Sequence, residues 1–206
     1  MLKLWGRINS INVQKVLWTL AELNVPYERT DAGLQYGVVN EPFYRKMNPN
    51  GRVPTIEDDG LVLWESNAIV RYLCSKHGAG TLWPSDPKQR ADVDRWMDWT
   101  TSTVAPAITP VFWGLIRTAP EKRDHKAIQD GVEKAAQAFQ VLEQSLEGRD
   151  YVAGKAFTMG DIPLGTFVYR WSALDVKRPG LPRVEAYYRR LQQRPAYKKH
   201  VMLPLT

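Results

Sequence analysis

Three short segments carry the side chains best suited to binding chemistry. The first, Asn9-Ser10-Ile11-Asn12-Val13-Gln14-Lys15-Val16, is a polar loop feeding a helix start. The second, Asn48-Pro49-Asn50-Gly51-Arg52-Val53-Pro54, enters a strand, with Pro54 holding Val53 extended. The third, Leu63-Trp64-Glu65-Ser66-Asn67-Ala68-Ile69, leaves a strand and begins a helix. Each puts polar groups at the end of a sheet element. Each also has a plain architectural reading: Ser10 or Asn12 caps a helix, Val53-Pro54 stiffens a strand, and Glu65-Ser66 supplies an N-cap with a favourable charge. The three together, in this order, weaken those readings. His77, His125 and His200 stand apart with no metal spacing, so no metal site is expected. Cys74, beside Leu73 in a helical stretch, reads as a small core residue.

The elements that must position these segments follow from periodicity. Met1 to Trp5 reads as a strand. Val13, Val16, Leu17, Leu20 and Leu23 recur at helical spacing, giving a helix over Asn12 to Leu23 that Pro26 ends. Pro26 to Thr30 is a second strand, and Asp31 to Asn50 is mostly loop with a short helix at Phe43 to Met47. Val53 to Glu57 and Leu61 to Trp64 form a hairpin about Asp58-Asp59-Gly60. A helix carrying Ile69, Tyr72 and Leu73 follows and ends near Gly78. The order βαβ, ββ, α makes a small mixed sheet with helices packed on it. After a Gly- and Pro-containing linker the chain shows no convincing strand. Helices are expected at Lys88 to Thr103, Val104 to Thr118, His125 to Leu146, Met159 to Leu174 and Leu181 to Gln193, with Pro106 and Pro110 bending or splitting the second. The expected domains are therefore 1–79, a linker at 80–87, and an all-α domain at 88–206.

Composition narrows the function classes. The 206 residues are 44% hydrophobic and 24% charged, ordinary for a folded globular chain of one or two domains and unlike a disordered one. No apolar run approaches a membrane span, and the N-terminus lacks a signal-peptide pattern, so a cytoplasmic setting is expected. One cysteine excludes a disulfide framework and a CxxC centre. The net charge of +6 is scattered, its densest spots being Arg189-Arg190 and Lys198-Lys199, so no nucleic-acid partner is expected.

The sequence resembles the cytosolic glutathione transferases, bacterial members similar to the theta and phi classes. The stretch NPNGRVPTIEDDGLVLWESNAIVRYL carries the resemblance in the first half. Phe157-Thr158-Met159-Gly160-Asp161 and Arg194-Pro195-Ala196-Tyr197 carry it in the second. The resemblance implies a thioredoxin-like α/β domain followed by an all-α domain. It implies conjugation of glutathione to small hydrophobic electrophiles in detoxification, with glutathione as co-substrate, no other cofactor, and a homodimer. The Trp96-Met97-Asp98-Trp99 segment falls in the implied dimer region.

The implied roles suit a short anionic tripeptide with a thiol. Val53, before an implied cis bond to Pro54, would pair its backbone with the cysteinyl backbone as an added strand does. Ser66 and the N–H groups at its helix start would hold the γ-glutamyl carboxylate, and Glu65 the ammonium. Arg52 would meet the glycyl carboxylate or backbone, an exposed side chain being the alternative. Ser10 and Asn12 compete as thiolate donors, with Ser10 favoured by its spacing to Val16. Ile8, Asn9, Trp113, Ile116 and Arg117 are candidate walls of the second-substrate pocket, though core packing explains Trp113 and Ile116 equally. Thr158 would cap a buried helix while Asp161 reaches back to the loop. Two other functions remain open: a glutathione-dependent disulfide reductase or peroxidase, and a non-catalytic glutathione-binding regulator. Serine rather than cysteine at position 10 disfavours exchange through a protein thiol. The missing Ser-Ser-Cys cluster disfavours maleylacetoacetate isomerisation.

Overall fold

A computed structural model describes residues 1–206. Strand β1 (Leu2–Trp5) leads to helix α1 (Ile11–Glu22), strand β2 (Tyr27–Thr30), a 3-10 turn at Leu34–Tyr36, helix α2 (Pro42–Met47), strands β3 (Thr55–Asp58) and β4 (Leu61–Trp64), and helix α3 (Ser66–His77). The sheet order is β2-β1-β3-β4: β1 runs parallel to β2, with Leu2 opposite Tyr27, and antiparallel to β3, with Leu4 opposite Ile56. Leu2 and Leu4 point to one face and are buried, while Lys3 between them is exposed, as the two-residue strand period requires. With Ile56 they pack on Val13, Val16, Leu17 and Leu20 of α1 and on Ile69 and Leu73 of α3. The hairpin turns on Asp59 and Gly60, both at positive φ (51° and 84°), the backbone of a type I′ turn. The third strand begins at Thr55, two residues later than expected from the sequence. Val53 and the buried Pro54 therefore lie ahead of the sheet ladder, joined by a cis peptide bond.

The rest is helical: α4 (Pro87–Trp99), α5 (Ala105–Phe112), α6 (His125–Ser145), α7 (Asp161–Ala173), α8 (Pro182–Gln192) and α9 (Pro195–His200), the last not anticipated. The expected break before Val104 is absent. A π-helical stretch at Thr100–Val104 joins α4 to α5 without interruption, and a second at Trp113–Arg117 extends it. Wider π turns can accommodate the backbone N–H groups that Pro106 and Pro110 lack, so the prolines are absorbed without splitting the helix. Trp96 and Met97 are buried in this chain's own core, with Trp96 edge-on to Trp99 at 5.3 Å. Asp98 is held by Arg71 of α3. No helix is long and apolar enough to cross a membrane.

Asp161 anchors the helical half. Its carboxylate accepts from the Val152 and Thr158 N–H groups (3.0 and 2.9 Å), the Thr158 hydroxyl (3.2 Å) and the Tyr187 hydroxyl (3.0 Å). The Thr158 hydroxyl thus donates to Asp161 and does not cap helix N–H groups, because a fully buried carboxylate accepts only and claims every nearby donor. Burial still pushes this carboxyl up to about 6 against those four bonds.

Helix α1 belongs to both cores. Trp18 packs against Phe157 and edge-on to Tyr197, with centroids at 5.3 and 4.7 Å. A Cβ on Gly165 would stand 2.9 Å from the Trp18 ring, so α7 can approach this closely only with glycine there. Glu22 takes a two-pronged bond from Arg194 (2.8 and 2.6 Å), and Tyr197 donates to the Gly165 carbonyl at 2.8 Å. These contacts give Arg194, Pro195 (the first residue of α9) and Tyr197 their structural purpose. They also fix the start of α1 relative to the helical half.

Candidate functional site

The start of α1 meets the start of α3 over a cavity of about 490 Å³. Asn12, Lys15, Glu65, Ser66 and Asn67 line it from the sheet half, and Ser102 and Phe167 from the helices. A second cavity of like volume, under Gly80–Asp86, lies away from all three polar segments.

Ser66 opens α3, which has no side-chain cap, so its first N–H groups remain available to an anion. Glu65 precedes it at φ 70°, in the left-handed region that a non-glycine residue occupies at a cost. The carboxylate is exposed at the cavity rim. Across the cavity, Asn12 Oδ1 accepts from the Lys15 ammonium (3.0 Å) and the Ser66 hydroxyl (3.3 Å). With Oδ1 occupied by two donors, the amide orientation is set, and Nδ2 is left as a free donor.

Lys15 escaped the sequence reading. Only 4% exposed, its ammonium bonds Asn12 and, at 3.4 Å, Ser66, and lies 5.6 Å from the Phe167 ring centroid. Burial pushes it down to about 8. The positive charge of Arg170 adds to this, and Glu65 opposes it. A polar residue three positions after Asn12 normally faces solvent. The one available signal is that Trp18, too large to leave exposed, flanks the same stripe of α1.

Ser10 occupies the N-cap position of α1 with extended backbone but makes no side-chain cap. It is buried, its hydroxyl bonds to no protein group, and it does not line the 490 Å³ cavity. The structure thus brings Asn12, Glu65 and Ser66 together around Lys15 and sets Ser10 just behind. Neither the N–H nor the C=O of Val53 bonds to another backbone group, leaving an open edge for an added strand. A buried polar knot holds that edge. Tyr44 and Asn48 both donate to the Arg52 carbonyl (2.7 and 2.9 Å) and both bond the Thr55 hydroxyl. The Arg52 side chain is exposed and bonds no protein group.

The five second-substrate candidates lie near the other side of α1's start. Ile8, Trp113 and Ile116 are 46%, 50% and 37% exposed, which removes the core-packing reading for the last two. Arg117 stacks on Trp113 and Phe112 and donates twice to a main-chain oxygen of Thr206 (3.2 and 2.9 Å), while Asn9 donates to the Thr206 hydroxyl at 2.7 Å. Cys74 is fully buried with its thiol pushed up to about 12, so it supplies no nucleophile.

The chain is similar over its whole length to known proteins. Residues 1–75 match the family model of the glutathione S-transferase N-terminal domain, and residues 126–190 that of the C-terminal domain. Glutathione S-transferase GstB of Escherichia coli K12 is 41% identical over 208 residues, spanning 100% of both chains. A probable rice glutathione S-transferase, GSTF2, is 31% identical over 96% of this chain and 94% of its own. The theta-class enzyme of Xanthomonas axonopodis pv. citri, solved with glutathione bound, superposes with a TM-score of 0.96 at 46% identity, covering 100% of this chain and 99% of that one. The chain belongs to the glutathione S-transferase family.

Proposed function

We propose that the chain is a glutathione transferase in which the cavity between α1 and α3 holds glutathione. The α3 N–H groups take the γ-glutamyl carboxylate, and the Ser66 hydroxyl turns its one proton from Asn12 Oδ1 to it while Lys15 keeps that amide oriented. Glu65 takes the ammonium, and Val53 pairs with the cysteinyl backbone. The thiol then lies by the start of α1. There the free Asn12 Nδ2, the uncommitted Ser10 hydroxyl and the Lys15 charge favour its thiolate over a free thiol with pKa near ~8.5. The thiolate attacks an electrophilic carbon of a small second substrate, displacing its leaving group, with no covalent bond to the protein. The observation that carries this reading is the convergence of Asn12, Lys15, Glu65 and Ser66 on one cavity beside the unpaired edge of Val53. The inert, buried Cys74 speaks against a protein-thiol disulfide reductase.

The working form is a homodimer acting on small hydrophobic electrophiles. The edge strand supports the dimer: Leu61, Val62 and Trp64 remain 42%, 36% and 36% exposed, an apolar strip suited to a second copy. Incubation with glutathione and a neutral chloronitrobenzene tests the function. Chloride release and thioether formation above the uncatalysed rate are expected. Glutathione binding without turnover would instead identify a non-catalytic binding protein.

A further inference from the structure

The loop between α2 and β3 carries the one Asn-Gly pair of the chain, Asn50-Gly51; the other asparagines precede Ser, Val, Glu, Pro or Ala. An Asn-Gly pair is chemically labile, because glycine has no side chain to keep its amide nitrogen from turning onto the asparagine carboxamide. The structure leaves this pair open to attack. Asn50 is exposed, and Gly51 takes φ 60°, in the region that favours glycine. Asn50 curls back on the turn, its own N–H and its Nδ2 both donating to Asn48 Oδ1 (3.1 and 3.2 Å), while the Gly51 N–H donates to the Asn48 carbonyl at 3.0 Å. The carboxamide and the nitrogen able to attack it are thus gathered on one residue. A Cβ on Gly51 would stand 2.6 Å from both Arg45 Nη atoms, so the guanidinium lies directly against this peptide unit, and its charge favours the deprotonated nitrogen. The ends of the pair are pinned. Asn48 is 2% exposed, Tyr44 and Asn48 both hold the Arg52 carbonyl, and Val53 with its open edge comes next.

We infer that Asn50 is a site of spontaneous deamidation, and that its isoaspartyl product weakens glutathione binding by displacing Val53. The second half rests on the transferase reading above. The Gly51 nitrogen gives up its proton to solvent and bonds to the Asn50 side-chain carbonyl carbon. The Cγ–Nδ2 bond breaks, and ammonia leaves with a solvent proton. Water then opens the resulting cyclic imide at one of its two carbonyls. Opening at the main-chain carbonyl leaves an isoaspartyl residue, with the chain routed through the former side chain. One carbon is thereby added to the backbone between Asn48 and Arg52. Both ends being pinned, the added length works against the Tyr44 and Asn48 bonds to the Arg52 carbonyl, which hold the Val53 edge. The new carboxylate also repels an anionic ligand.

The test ages the full chain at pH 7 and at pH 9, where the amide proton is lost more readily, and then cuts it with trypsin. Cleavage after Lys46 and after Arg52 frees residues 47–52 as one peptide. The expected result is release of ammonia and a gain of one mass unit in that peptide, faster at pH 9, with an isoaspartyl form separable by chromatography. Peptides carrying Asn9, Asn12 or Asn67 should change little. Asn50→Gln, which needs a larger ring to react, should keep its mass. On immobilised glutathione, the isoaspartyl form should gather in the unretained fraction, while fresh protein and aged Asn50→Gln are retained. A mass change in residues 47–52 that occurs only after the chain is unfolded overturns the site, as does one shared equally by Asn9. An isoaspartyl form retained as well as fresh protein overturns the effect on binding. Fresh protein that fails to bind glutathione defeats the transferase reading itself, and the mass change then decides the site alone.

Discussion

Lys15→Met replaces a buried ammonium with an apolar side chain of similar length, and two opposed effects follow. The first is on the thiol. The ammonium sits 3.0 Å from Asn12 Oδ1. A sulfur accepting from the far end of that amide would lie about 8 Å from the charge. At that range, with an effective dielectric near 20, a unit charge favours the thiolate by about 2 kcal/mol, or about 1.5 pH units. Losing the charge should therefore raise the pKa of the bound thiol by about that much, and losing the hold on Asn12 Oδ1 acts in the same direction. The second effect is on stability. The unfolded chain keeps the Lys15 proton up to its ordinary 10.5, the folded chain only to about 8. Between those values the unfolded chain binds the extra proton, so stability rises with pH across the window. Below it, the buried charge costs of the order of 3 kcal/mol. The variant should be more stable at pH 7, lose that rise, and conjugate more slowly at neutral pH while recovering at high pH. Ultraviolet titration of the bound thiolate and denaturant melts from pH 7 to 10.5 measure both. A thiol pKa unchanged or lowered in a folded variant would refute the electrostatic role of Lys15.

Four further expectations follow from the same geometry. Glu65→Ala removes the acid next to Ser66 on the cavity wall, Asp98 there being engaged by Arg71, and should weaken glutathione binding about tenfold or more by calorimetry, charge-assisted bonds contributing roughly 1.5–3 kcal/mol; unchanged affinity would misplace the site. Ser10→Ala and Asn12→Ala, compared by pH–rate profile, identify the thiolate donor: the true donor's loss raises the kinetic pKa and lowers kcat with little change in glutathione affinity, and a shift in neither profile would leave the backbone N–H groups as the stabilisers. Asp161→Ala strands the Val152, Thr158 and Tyr187 donors in the core and should cost about 3 kcal/mol or more in a denaturant melt. Light scattering should find a particle of twice the 23.6 kDa chain mass, and a monomer at micromolar concentration would exclude the dimer.

The elements near the three polar segments were legible because local chemistry punctuates them. Pro26 follows the end of α1, Asp59-Gly60 turns the hairpin, and the 2.0 and 3.6 residue periods of β1 and α1 are unmixed. The helical half was less legible at α4–α5. Pro106 and Pro110 break an ordinary helix, and nothing local announces the π turns that absorb them. Within the site, Glu65, Ser66 and Val53 could be placed because each belongs to a turn or helix start. Lys15 could not, because its burial is imposed by Phe167 and Arg170 of α7, some 150 residues along the chain. The same holds for Arg170, which on its own helix looks like a last-turn cation favourable to the dipole.

That dependence on α7 bears on how the two halves share one chemistry. The first turn of α1 presents Asn12 and Lys15 to the cavity, while two turns later Trp18 and Glu22 lock into Phe157, Tyr197 and Arg194. A helix is stiff over this distance, so docking of the halves and orientation of Asn12 and Lys15 are one structural event. On the proposed reading, the sheet half alone would hold the peptide arms of glutathione, through Val53, Glu65 and Ser66. It would leave Lys15 solvated, and in water its charge would exert only a fraction of the pull it has beside Phe167. The helical half therefore supplies more than a wall for the second substrate. On the proposed reading, burying Lys15 turns an ordinary cation into one strong enough to favour the thiolate.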